Sequence, residues 1–152
     1  MPTKKPTLAV KIRKATMSDV AAIRCIANAP GLTNPGNAGC VPHTEWFKVQ
    51  VRGGILLVAT RKTKVVGFIM GEKLLGTVVM VWMMGVTEKL RGQGIGKALM
   101  NAFHHECTKQ GKNIFVAYAY AKNPVIIKLL KKYGFNQGHL YYEFIKLPKS
   151  WK

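Results

Sequence analysis

The sequence predicts a mixed α/β fold, a central β-sheet flanked by about four helices. Three observations predict it. Strand-sized apolar runs fill the first half, among them Val65–Leu75 and Thr77–Val86. Val79–Met100 (VMVWMMGVTEKLRGQGIGKALM) then sets a strand, a glycine-rich turn and an amphipathic helix in series. Asn113–Phe135 repeats the order with a second apolar run, an Asn-Pro pair and another helical stretch. Strands first, then β-α-β-α-β, make a mixed sheet.

Element by element, Leu8–Ala15 alternates Val10 and Ile12 with Lys11 and Arg13 and reads as a first strand. Ser18 is placed to cap a helix over Asp19–Ala29, with Val20, Ile23 and Ala27 as its inner stripe and Pro30-Gly31 as its end. Pro30–Pro42 is rich in Gly, Pro and Asn and reads as a loop. Thr44 is placed to cap a short helix that ends at Gly53-Gly54. Ile55–Arg61 and Val65–Leu75 are strands joined by a Lys62–Lys64 turn, and Gly76 separates the second from Thr77–Val86. Ile95, Leu99, Ala102 and Phe103 give the following helix its apolar face. Tyr141–Leu147 is the clearest strand beyond Phe135.

The glycines after Val86 open a helix N-terminus, where unpaired backbone N–H groups and the positive end of the helix dipole favour phosphate. A Rossmann fingerprint requires a third glycine where Lys97 stands. A P-loop requires glycine at Arg91 and Ser or Thr at Ala98. Both patterns fail. The stretch RGQGIGKAL, from Arg91 to Leu99, resembles instead the pyrophosphate loop of the GNAT superfamily of acyl-CoA-dependent N-acyltransferases, Q/R-x-x-G-x-G/A. Asn123–Phe135 (NPVIIKLLKKYGF) resembles the same family, in which an Asn follows the fifth strand and the next helix closes in Gly-Phe. The order of elements fits from about Lys11 to Leu147.

The resemblance implies an N-acetyltransferase with acetyl-CoA as co-substrate, without a metal, working by direct attack of an acceptor amine in a ternary complex. It implies that the fourth and fifth strands part and that pantetheine bonds to the backbone of Met84, Gly85 and Val86. Glycine is a poor strand residue, so Gly85 is the expected site of a bulge. Gln93, Gly94, Ile95, Gly96 and Lys97 would donate N–H groups to the pyrophosphate, with Arg91 adding charge. Gly92 belongs to this loop or to the turn geometry alone. Asn123 would bond pantetheine and also cap its helix, with Pro124 at the first helical position.

Acyl transfer from a thioester to an amine needs an anchored donor, a deprotonated amine and a stabilised oxyanion. The family's usual acid is a Tyr four residues before the Gly of Gly-Phe, and here that position is Leu130. Tyr133, three residues on, is the candidate displaced acid, its alternative being simple packing at a helix end. Thr77–Val86 holds no Asp, Glu or His, so Glu72 on the preceding strand is the candidate base, acting through water, or else an exposed strand residue. His43 is a weaker candidate, and the amine can also lose its proton to solvent. His104 and His105 point about 100° apart on a helix and do not pair as metal ligands. Tyr118 and Tyr120 read as core, as do Met80, Met83 and Met84; Trp46, Trp82 and Trp151 are too dispersed in sequence for a binding stripe.

The 152 residues suit one domain, 1–152, with Met1–Thr7 as a flexible basic tail. Apolar residues make up 48% of the chain, which excludes a disordered tail, and no run is long enough to span a membrane. Scattered Cys25, Cys40 and Cys107, with no signal-peptide pattern, point to a cytoplasmic protein. Lys and Arg total 24 against six acids, a net charge of +18. That field attracts CoA, nucleic acid or acidic partners and repels polycations, so the acceptor is expected to be neutral or acidic rather than polycationic. A competing reading is a basic nucleic-acid-binding protein on the same fold, with CoA as regulator or vestige, although no RNP, KH or helix-turn-helix signature is present. The sequence fits a monomer as well as a homodimer.

Overall fold

The computed structural model describes residues 9–29, 44–119 and 123–140. They fall in two compact units, one ending at Tyr118 and one beginning at Ala119.

The first unit is a five-stranded mixed sheet in the order β1-β2-β3-β4-β5. Its strands are β1 (Lys11–Lys14), β2 (Ile55–Arg61), β3 (Lys64–Lys73), β4 (Val78–Val86) and β5 (Ile114–Ala117). The first four form an antiparallel meander, and β5 lies parallel to β4. The parallel step needs a crossover, supplied by helix α3 (Ile95–Lys109). Six consecutive buried residues in β2 and six in β3 show that both faces are covered, which is why these strands read as apolar runs without alternation.

One face carries α1 (Val20–Ala27) and α2 (Thr44–Gly53). There Ile23, Phe47, Val58, Phe68 and Met70 form a buried cluster, with Phe47 edge-on to Phe68 at 6.0 Å. The other face carries α3 through Ile95, Leu99, Met100, Phe103 and Cys107, all buried. Gly67 and Gly71 let α3 come close: a Cβ on Gly67 would meet Leu99, and one on Gly71 would meet Phe103. Met100 and Cys107 thus complete an apolar face on which the expected Ala102 is only half-buried.

Three local expectations are corrected. Ser18 does not cap α1. Asp19 holds the N-cap position without a side-chain bond to the helix, and its carboxylate closes the preceding short 3-10 turn, Met17–Asp19, accepting the Thr16 N–H at 2.8 Å and the Arg13 guanidinium at 2.7 Å. A carboxylate at this entrance collects a charged partner that a Ser hydroxyl cannot. Second, the β4 bulge is not at Gly85, which pairs in register with Phe68. Met70 pairs with Met83 and Gly71 with Val81, so Trp82 is the extra residue. Third, β5 ends at Ala117, and Tyr118 beyond it is exposed rather than core. Tyr120, Pro30–Pro42 with Cys40, the Tyr141–Leu147 strand, His43, Trp151 and Met1–Thr7 lie outside the described residues.

The second unit contains α4 (Pro124–Lys132). Asn123 caps it, its Oδ1 accepting the Ile126 N–H at 3.2 Å, with Pro124 at the first helical position. The helix closes through Tyr133 into Gly134, whose φ of 87° requires glycine, and Phe135 N–H returns to the Leu130 carbonyl.

Candidate functional site

The site starts where β4 loses its neighbour. The last pair between β4 and β5 is Val81 with Ala117. From the bulged Trp82 to Val86, β4 has β3 on one side and, among the described residues, no strand on the other. A strand edge left open in this way offers its N–H and C=O groups to an extended ligand. Met84, Gly85 and Val86 lie on this open stretch, Gly85 buried and its neighbours half-buried.

The chain then turns through a short 3-10 segment, Glu88–Leu90, into the glycine loop. Gly92 has φ 76° and Gly94 φ 85°, left-handed values that glycine adopts without penalty. At Gly92 a Cβ would meet open space, so backbone conformation and not crowding selects glycine there. Gly94 is the N-cap of α3, and the first backbone bond of the helix runs from Ala98 N–H to the Gly94 carbonyl at 3.0 Å. The N–H groups of Gly94, Ile95, Gly96 and Lys97 therefore have no acceptor within the helix. Acidic residues are absent from this first turn, whereas Lys97 is exposed in it. Arg91 stands at the loop entrance, its Nε donating to the Val86 carbonyl at 3.0 Å, and Gln93 Nε2 donates to the Lys89 carbonyl at 3.3 Å. Those two bonds hold the loop against the end of β4.

An anion cradle of backbone N–H groups and cationic side chains thus continues an open strand edge in one unit. Asn123 and Tyr133 lie in the other unit, at opposite ends of α4. Tyr133 is half-buried, and burial pushes its phenol pKa up, so it holds its proton at neutral pH.

Glu72 lies on β3, past the bulge, at the register position of Met80. It is exposed, and its Oε2 accepts the Trp82 indole N–H at 3.1 Å. Trp82 in turn stands edge-on to Trp46 of α2, with ring centroids 6.1 Å apart. The expectation that the tryptophans are dispersed is therefore wrong for Trp46 and Trp82. They are 36 positions apart in sequence, and no local signal links them; the packing of α2 on the sheet brings them together. Among the described residues no group of three or more His, Cys, Asp and Glu side chains is placed to hold a metal ion. No helix of the described residues is long and apolar enough to cross a membrane.

Comparison with known proteins agrees with this arrangement. The sequence model of the acetyltransferase (GNAT) domain matches residues 52–137, from the end of α2 to just beyond α4. Among solved structures, Ard1 from Thermoplasma volcanium is 26% identical, over 87% of this chain and 86% of that one, with a TM-score of 0.73. The PaiA N-acetyltransferase from Thermoplasma acidophilum, solved in complex with coenzyme A, shares the fold at 16% identity and a TM-score of 0.74, covering 85% of this chain and 91% of that one. The ribosomal-protein-S18-alanine N-acetyltransferase from Escherichia coli shares it at 21% identity and 0.69, covering 86% and 80%. No curated protein sequence matches the chain. The family match covers more than half of the sequence and includes the open strand, the glycine loop and the capped helix, and the chain belongs to the GNAT acetyltransferase family.

Proposed function

We propose that the protein is an acetyl-CoA-dependent N-acetyltransferase that transfers the acetyl group to a primary amine in a ternary complex, in the cytoplasm. The observation that carries this reading is the continuity of the open β4 edge with the N–H cradle of α3. Pantetheine is an extended chain of amides and suits the former; a pyrophosphate suits the latter. Met84, Gly85 and Val86 take the pantetheine, joined by Asn123. The N–H groups of Gln93, Gly94, Ile95, Gly96 and Lys97 take the pyrophosphate. Arg91 and Lys97 supply charge, and Gly92 supplies the turn.

The amine nitrogen attacks the thioester carbonyl carbon, the C–S bond breaks, and the departing sulfur takes a proton. Tyr133 is the donor of that proton in this scheme, and Glu72 receives the amine's proton through water. The net charge of +18 favours a neutral or acidic acceptor over a polycationic one.

Calorimetric titration with acetyl-CoA at low and at physiological salt tests the donor site. Micromolar binding that survives salt is expected. In a folded Gly94→Val protein it should be lost, because a β-branched side chain is strained at φ 85° and obstructs the phosphates. Unchanged affinity in that variant refutes the pyrophosphate assignment. The charge also favours a second reading, a nucleic-acid-binding protein on this fold with CoA as regulator or vestige. Salt-dependent nucleic-acid binding with no turnover of any amine would select it.

A further inference from the structure

The bulge that ends the pairing of β4 with β5 also turns Trp82 toward α2, where it meets Trp46, half-buried against the core, and the exposed Glu72. Trp82 is 42% exposed although it packs against Trp46. An indole left half in water beside a second indole is apolar surface that folding has not used. Its N–H is held by Glu72, and this is unusual for an acid in this chain. Asp19, Glu45 and Glu106 are each ion-paired, with Arg13, Lys48 and Lys14 respectively. Glu72 and Glu88 have no ion pair among the described residues, and of these two only Glu72 is bonded to an aromatic side chain. In a protein with 24 Lys and Arg, Glu72 is thus held by a neutral donor with its charge uncompensated. A carboxylate beside one exposed and one half-buried indole attracts a cation that also carries apolar surface: the carboxylate supplies the counter-charge, and the rings supply cation–π and apolar contact.

We propose that Trp82, Trp46 and Glu72 form the acceptor subsite, and that it selects a single primary ammonium borne on an apolar carbon skeleton. This rests on the acetyltransferase reading above, in which the donor lies along β4 from Val86 back toward the bulge. The same three residues explain how a molecule of charge +18 admits a cation at all. One ammonium is compensated locally by Glu72, whereas each further charge on a polyamine meets the repulsive field. Glu72 then orients the acceptor before it receives a proton, and Trp82 keeps the carboxylate in place through its N–H.

Two sources offer this chemistry, a free aliphatic amine and the N-terminus of a peptide that begins with an apolar residue. The test titrates the full-length protein at constant ionic strength with isoamylamine and, separately, with leucylglycinamide, following tryptophan fluorescence. A saturable change is expected with at least one, and the tighter ligand identifies the source. N-acetylated leucylglycinamide should give none. Spermidine should bind at least about tenfold more weakly than the better monoamine. Glu72→Gln preserves the shape of the side chain and an acceptor for Trp82, and should weaken monoamine binding about tenfold or more. Trp82→Ala should abolish the response. No response to either amine in the natural protein, an unchanged affinity in Glu72→Gln, or equal affinity for spermidine overturns the proposal. Acetyl-CoA calorimetry on the same proteins separates the two readings. Its failure in the natural protein removes the acetyltransferase assignment, whereas normal acetyl-CoA binding with an amine affinity indifferent to Glu72→Gln removes only the subsite.

Discussion

Asp19 shows how one side chain couples local structure to stability. It is buried at the entrance of α1, and the hydrogen bonds from Arg13, with those from Thr16, hold its pKa down to about 2 against an ordinary 3.8. A carboxylate with a lowered folded-state pKa stabilises the fold above its unfolded-state pKa and ceases to do so as pH falls through the folded value. The contribution is about 2 kcal/mol. Acid unfolding should therefore show a loss of that size between about pH 4 and pH 2. Asp19→Asn should remove it at pH 7 and flatten the profile in that window, as denaturant titrations at several pH values would reveal. Ser18 reads in sequence as an equally good cap; at the neighbouring position the Arg13 guanidinium, reaching over from β1, and Thr16 hold the Asp19 carboxylate. At Tyr133 the prediction is kinetic. Tyr133→Phe should lower kcat with acetyl-CoA affinity unchanged, by about 10²-fold if the phenol is the proton donor. A normal rate would leave it as a packing residue.

At the scale of elements, the positions of strand and helix follow from patterns the sequence carries openly. Asn123-Pro124 starts α4 because one side chain caps and the next residue lacks an N–H to satisfy. The glycine loop likewise follows from spacing, and Gly92 and Gly94 have the positive φ that such spacing implies. The bulge does not. Gly85 has the right composition for an irregularity, yet it pairs regularly with Phe68, and the extra residue is the bulky Trp82. Register is a property of two strands together, and a single-strand propensity cannot locate where it shifts. The same pairing sets up a test. Gly71 follows the bulge on β3, and a Cβ there would sit 2.6 Å from the Met80 carbonyl oxygen and run into the Phe103 ring. Neither backbone nor a fully buried ring gives way cheaply, so Gly71→Ala should destabilise the protein by about 1–3 kcal/mol in chemical denaturation. Gly53→Ala, which meets nothing within 4 Å, is the control expected to fold normally.

Across the whole molecule, 24 basic residues against six acids govern how ligands arrive. CoA carries several negative charges, so its association should be steered. Raising ionic strength from low to physiological should slow acetyl-CoA association by about tenfold or more while changing dissociation much less. Stopped-flow measurement at several salt concentrations checks this. An association rate indifferent to salt would mean that the charge serves another partner.

The sequence by itself determined the mixed α/β class, the strand, loop and helix that carry an anion cradle, and the capped helix after Asn123. These are local patterns, in which spacing of a few residues decides hydrogen-bond satisfaction and backbone conformation. Only the tertiary structure decided where β4 leaves β5, that Arg13 of β1 pairs with Asp19 at the entrance of α1, and that Trp46 and Glu72 both meet Trp82. Those depend on register and on elements docking across a sheet, contacts between residues 6 to 36 positions apart whose geometry residue spacing does not carry.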